Sequence, residues 1–192
     1  LAPRYAARPL DHPDAYAAWL ARARSYLTPD SRVLEVGCGT GSTAIALAPD
    51  AGEILATDFS PAMIEIARSR AGDTPNLRFD VAPADRPQGQ FDVVMAFSLL
   101  HLLPDRAAGL AALAAQVKPG GLLITKTVCL WRKRLYLGPV IAVLRLLGKA
   151  PQVHMVDADR LVEKIRAAGF EIVEQGDYPA GGISRFIVAR KL

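Results

Sequence analysis

The stretch Arg32-Val33-Leu34-Glu35-Val36-Gly37-Cys38-Gly39-Thr40-Gly41-Ser42 reads as a strand that runs into a glycine turn. Thr43-Ala44-Ile45-Ala46-Leu47-Ala48 follows it, a run that suits a helix. Strand, glycine turn and helix is the unit with which α/β folds bind ligands at the carboxyl ends of parallel strands. Glycine takes the positive φ of a tight turn and lets a ligand approach the backbone. A turn that merely reverses the chain is the plainer alternative, but three glycines within five residues favour a ligand loop.

Outward from this loop, apolar β-type runs alternate with helical ones, separated by Gly, Pro and Asp. Strands are expected at Arg32–Gly37, Glu53–Asp58, Asn76–Val81, Phe91–Ser98, Gly121–Thr127, Phe170–Tyr178 and Ile183–Arg190. Helices are expected near Ser42–Ala48, Pro61–Ala71, Asp105–Val117 and Asp157–Ala168. Ahead of the loop, Ala15–Leu27 carries Tyr16, Trp19, Leu20, Ala23 and Leu27 at helical spacing, with Asp14 as the expected N-cap. Only Pro179–Gly182 separates the last two strands, too short for a crossover helix, so they should form an antiparallel hairpin while the first five run parallel. The expected fold class is α/β: a Rossmann-like, seven-stranded, mostly parallel sheet flanked by helices, with the last strand antiparallel. One domain is expected over residues 1–192, with 1–28 as an N-terminal helix or lid and 131–156 as an insert.

Of the 192 residues 51% are hydrophobic and 22% charged, which is globular usage. No apolar run reaches the ~18 residues of a membrane span. Cys38 and Cys129 stand far apart with no Cys-x-x-Cys, so neither a disulfide framework nor a metal site is indicated. A reducing, cytoplasmic setting fits. The net charge of +4 is spread along the chain rather than gathered into a basic block, so no nucleic-acid partner is expected.

The ligand is constrained by charge. A dinucleotide loop reads G-x-G-x-x-G and sets a pyrophosphate on a helix N-terminus. Here the glycines are 37, 39 and 41, and Glu35 precedes them by two positions, where a carboxylate would repel a pyrophosphate and suit a cation. A nicotinamide-dependent oxidoreductase is disfavoured on both grounds.

Glu35-Val36-Gly37-Cys38-Gly39-Thr40-Gly41 resembles the first motif of class I S-adenosylmethionine-dependent methyltransferases. The resemblance implies S-adenosylmethionine as cofactor, with Glu35, Gly37, Cys38, Gly39 and Gly41 around its methionine part. It implies that Asp58, in Ala56-Thr57-Asp58-Phe59-Ser60-Pro61, binds the ribose hydroxyls, and that Phe59 and Met63 pack on adenine. Ser60 before Pro61 makes the better helix N-cap and leaves Asp58 to a ligand. In Phe79-Asp80-Val81-Ala82-Pro83-Ala84-Asp85 the chain departs from the family, with Pro83 where an acid is usual. The Ala84 N–H is then the expected adenine contact, with Asp85 a substitute for the acid. Phe97 and Ser98, ending the fourth strand, would face the donor methyl, and His101 just beyond them is the candidate catalytic base. His12, His154 and the lid candidate Tyr5 are weaker.

The resemblance implies an enzyme that methylates a small acceptor. Asn/Asp-Pro-Pro-Tyr is absent after the fourth strand, where Phe97-Ser98-Leu99-Leu100 stands, which disfavours adenine or glutamine amino groups. Trp131–Lys149 is apolar at Leu137, Val140, Ile141, Leu144 and Leu147 and basic at Arg132, Lys133, Arg134, Arg145 and Lys149. A core helix with a solvated basic start is the plainer reading and a peripheral contact with an anionic membrane a further one; the expectation is that it roofs the pocket of a hydrophobic or lipid-like acceptor. A non-catalytic S-adenosylmethionine-binding regulatory protein is the competing class.

Overall fold

The computed structural model describes residues 13–131 and 156–192. Its elements in chain order are α1 (Pro13–Arg24), β1 (Arg32–Val36), α2 (Ser42–Leu47), β2 (Glu53–Asp58), α3 (Pro61–Ala71), β3 (Leu77–Val81), β4 (Phe91–Phe97), α4 (Arg106–Ala115), β5 (Val117–Val128), α5 (Ala158–Ala167), β6 (Phe170–Asp177) and β7 (Ser184–Lys191). The strands form one seven-stranded sheet in the order β3-β2-β1-β4-β5-β7-β6. β1 to β5 pair in parallel, while β7 pairs antiparallel with both β5 and β6. The expected hairpin is present, and β7 inserts itself between β6 and the parallel strands.

The strand order reverses between β1 and β4, the switch point at which loops diverge and leave a crevice at the carboxyl ends. Both faces of the sheet are covered, which is why β4 is a nearly continuous apolar run and β1 and β5 carry buried apolar residues on both faces. One face carries Val33, Ile54, Met95, Phe97, Ile124 and Phe186 beneath Trp19, Leu47, Ile64 and Ala67 of α1 to α3. The other carries Leu34, Val94, Leu123 and Ile187 beneath Leu110, Leu113, Leu161 and Ile165 of α4 and α5.

Local signals set most element ends. Ser60 accepts from the Met63 N–H at 3.4 Å with Pro61 in the first turn, and Asp157 accepts from the Asp159 and Arg160 N–H groups. Asp14 is not the N-cap of the first helix. The helix already begins at Pro13, which tolerates the first turn because its missing N–H would have no partner there, so Asp14 lies inside it. That helix also stops at Arg24 rather than Leu27, its exit tightened by Tyr26 N–H to Ala23 O and Leu27 N–H to Arg24 O. β5 starts at Val117, four residues before expectation, because Val117 pairs with Phe91 across a register irregularity opposite Lys118-Pro119-Gly120. Tyr5, His12, His154 and all of the Trp131–Lys149 segment beyond Trp131 lie outside the described residues. Among the described residues no helix is long and apolar enough to cross a membrane.

Candidate functional site

The loop after β1 has Gly37, Gly39 and Gly41 at φ of 74°, 54° and 76°. Gly41 is bound sterically as well: a Cβ there would lie 2.7 Å from the Phe79 ring and 3.0 Å from Ala67 Cβ. The loop amides are engaged within the protein. Gly37 N–H and Cys38 N–H donate to Thr57 O at 2.7 and 2.9 Å, Gly41 N–H to Cys38 O at 3.0 Å, and Gly39 N–H to Asp58 Oδ2 at 3.0 Å. A phosphate-binding loop instead turns such amides toward the anion. Arg70 from α3 clasps the far side, donating to Thr40 Oγ1 at 2.9 Å and Ser42 Oγ at 3.0 Å.

Beneath the loop, Glu35 is 2% exposed, and its Oε2 has no hydrogen-bond partner among the described residues. Burial pushes the carboxyl up to about 8; the Ala44 N–H opposes this and the neighbouring Asp58 charge adds to it. Near neutral pH Glu35 is therefore mostly protonated until a cation arrives. A buried polar atom without a partner is worth ~1–3 kcal/mol to whatever satisfies it. Asp58 is buried at the end of β2 and bridges two loops, Oδ2 accepting from Gly39 N–H and Oδ1 from Ser60 N–H at 2.9 Å. Each carboxylate oxygen has two lone pairs, so one on each is left for hydroxyl donors. Ser60, not Asp58, caps α3, as the sequence indicates. The Cys38 thiol is buried and held well above its usual range by that burial and by the two carboxyls, which makes it inert.

Phe59 projects from the same rim and is 77% exposed, so it serves no core. Met63 is half-buried beside it. Ala84 sits half-buried in a turn closed by Arg86 N–H to Pro83 O at 3.1 Å, while Asp85 is exposed.

The ends of β4 and β5 differ in character. Phe97 is buried against Trp19 of α1, with ring centroids 4.8 Å apart. Ser98 has φ 53°, a left-handed backbone that a serine adopts only under constraint, here with its N–H bonded to Lys126 O at 2.7 Å. Lys126 is half-buried at the register position of Phe97, its Nζ 5.2 Å from the Trp19 ring centroid. Burial lowers its pKa. His101 is buried with Nδ1 unpartnered among the described residues, and burial together with the Lys126 charge takes it down to about 4. It is neutral at physiological pH.

With this geometry in view, residues 10–175 match the family described as methyltransferase domain. The chain belongs to that family. The methyltransferase domain is 30% identical over 152 residues to the ubiquinone biosynthesis O-methyltransferase of Acinetobacter baylyi, covering 73% of this chain and 63% of that one. It is 38% identical over 98 residues to the trans-aconitate 2-methyltransferase of Deinococcus radiodurans, covering 50% of this chain and 37% of that one. The chain thus spans less than two thirds of the length of these curated relatives. Its fold is that of the magnesium protoporphyrin IX methyltransferase of Synechocystis PCC 6803, solved with bound SAH, at a TM-score of 0.72 and 20% identity, covering 93% of this chain and 81% of that one.

In the methyltransferase domain the expected residues Glu35, Gly37, Cys38, Gly39, Gly41, Asp58, Phe59 and Met63 gather around the β1 loop and the β2–α3 turn, Ala84 lies after β3, Phe97 ends β4, and Ser98 and His101 follow it. Arg70 and Lys126 carry no role in the sequence reading, and Trp19 stands there only as a helix-face residue. A signal existed for Lys126: it is a lone charge in Leu122-Leu123-Ile124-Thr125-Lys126-Thr127-Val128, a run otherwise suited to a buried strand. Tyr16 was visible only as a helix-face residue. Burial raises its phenol above the usual value, with the nearby Thr43 opposing the rise and the Glu35 charge adding to it.

Proposed function

We propose that this protein binds S-adenosylmethionine at the carboxyl ends of β1 and β2 and transfers its methyl group to an oxygen of a small organic acceptor. One observation carries the reading: a buried carboxyl, Glu35, with an oxygen unpartnered among the described residues, lies under a glycine loop whose amides are already engaged by Thr57 and Asp58. That combination suits a cationic ligand and does not suit a pyrophosphate. The residues therefore fit the cofactor: Glu35 and the loop Gly37-Cys38-Gly39-Thr40-Gly41 for its cationic methionine part, Asp58 for its ribose diol, Phe59, Met63 and the Ala84 N–H for adenine, Phe97 and Ser98 for the methyl end. When bound, S-adenosylmethionine supplies a methyl group on a sulfonium, an electrophile with a neutral leaving group.

The chain's own contribution is mostly to hold the partners, and well-oriented reactants lower a barrier by up to ~7–11 kcal/mol. Phe97, packed at a tilt against Trp19, fixes the wall at the end of β4. His101 faces this region as a neutral imidazole of low basicity, suited to a hydrogen bond with the acceptor oxygen and a weak proton acceptor. The relative named as an O-methyltransferase of ubiquinone biosynthesis supports methylation on oxygen, and the one named for trans-aconitate supports a small acceptor.

Thermal unfolding with S-adenosylmethionine, S-adenosylhomocysteine or NADH tests the reading. A ligand at ~100 times its Kd adds ~2.7 kcal/mol to the folded state. Both sulfur ligands should raise the midpoint by several degrees and NADH should not; stabilisation by NADH alone would refute it.

A further inference from the structure

Lys126 is out of place for a strand residue. It sits on the face of the sheet that buries Phe97 and Phe186, its register partners on β4 and β7. No carboxylate among the described residues pairs with it, and burial is the influence on its titration. Its ammonium instead lies over the Trp19 ring at 5.2 Å, beside the Phe97 ring that Trp19 covers, and its charge reaches His101. A cation held among aromatic rings gains some attraction from them, but a half-buried lysine with no counter-ion keeps an unmet demand for an anion.

We propose that Lys126 is an anion-binding residue of the methyl-transfer site, holding a carboxylate or phenolate oxygen between Trp19, Phe97 and His101. The proposal rests on the methyltransferase reading and narrows it. Two ligands of that reaction carry such an oxygen, the methionine carboxylate of the cofactor and an anionic acceptor. The flat rings of Trp19 and Phe97 favour an acceptor whose anion sits on a planar, apolar frame. Such an acceptor arrives already deprotonated, which agrees with a histidine too weakly basic to ionise it.

Calorimetric titration separates the sources. Wild type, Lys126→Met and Lys126→Arg are titrated with S-adenosylhomocysteine, and the loaded proteins then with benzoate and with 4-nitrophenolate. Methionine keeps the apolar stem over Trp19, and arginine keeps the charge, so near-wild-type anion binding by the arginine variant separates charge loss from misfolding. An acceptor role is upheld when at least one anion binds loaded wild type and binds Lys126→Met about tenfold or more weakly, a loss of ~1.4 kcal/mol or more. A comparable loss for S-adenosylhomocysteine itself assigns the oxygen to the cofactor. The proposal is overturned when Lys126→Met matches wild type toward all three probes, or when loaded wild type binds neither anion and S-adenosylhomocysteine affinity is unchanged in the variant. Failure of wild type to bind S-adenosylhomocysteine instead defeats the methyltransferase reading on which the proposal rests.

Discussion

The two ends of the crevice carry opposite charge and are built by different means. At β1 and β2 the buried groups are acids, Glu35 and Asp58, and the loop around them is held by hydrogen bonds to Thr57 O and the Asp58 carboxylate of the adjacent strand β2. At β4 and β5 the groups are a lysine and a neutral histidine framed by Trp19 and Phe97, brought together from α1, β4 and β5. A cationic ligand and an anionic one can therefore lie side by side, each facing a group of the opposite sign. The acidic end is built on one pair of adjacent strands, β1 and β2, and the basic end from three elements far apart in the chain.

Asp58→Ala should break the acidic end most severely. It removes the acceptor of the half-buried Gly39 and Ser60 N–H groups, and charge-assisted bonds of this kind contribute ~1.5–3 kcal/mol each. The predicted loss is about 3 kcal/mol in urea unfolding, together with most of the stabilisation by S-adenosylhomocysteine. An unchanged midpoint would show that Asp58 does not hold the loop.

Glu35 should make the same end sensitive to pH. Its folded value of about 8 lies above the ordinary 4.5, so in the free protein its contribution to stability is full below pH 4.5 and is lost as pH rises through 8. A cationic ligand acts oppositely, because it needs the ionised carboxylate. Affinity for S-adenosylhomocysteine is predicted to rise with pH toward 8 by up to about tenfold per unit, and Glu35→Gln to flatten that slope. Calorimetry in buffers of different ionisation heat should also register proton release on binding; a slope retained in the glutamine variant would point to another group.

The smallest effect is expected at the basic end, where Ser98 holds a left-handed backbone. Ser98→Gly relieves that conformation but loosens the unfolded chain, for a net gain of about 0.5 kcal/mol. A loss of stability on denaturant unfolding would mean that the serine side chain contributes more than its backbone strain removes.

Sequence alone determined what short-range rules control. The alternation of apolar and helical runs specifies an α/β sheet, Pro179–Gly182 forces a hairpin, Ser60 and Asp157 cap their helices, and the glycines of the β1 loop take the positive φ that their spacing announces. Glu35 and Asp58 were legible for the same reason, being placed by a motif of a few residues. The early helix start at Pro13 and the extended β5 show the limit of local rules, since a tolerated proline and a cross-strand partner moved those ends. Tertiary structure decided the rest. β7 lies between β5 and β6 because strand order follows from long-range pairing, which no local period encodes. Trp19 meets Phe97 and Lys126 only because α1 packs across the ends of strands that the sheet has already ordered. That Glu35 Oε2 lacks a partner among the described residues while the loop amides above it have theirs is also a property of the assembled site, because hydrogen bonds are apportioned only once every donor and acceptor has been brought within reach.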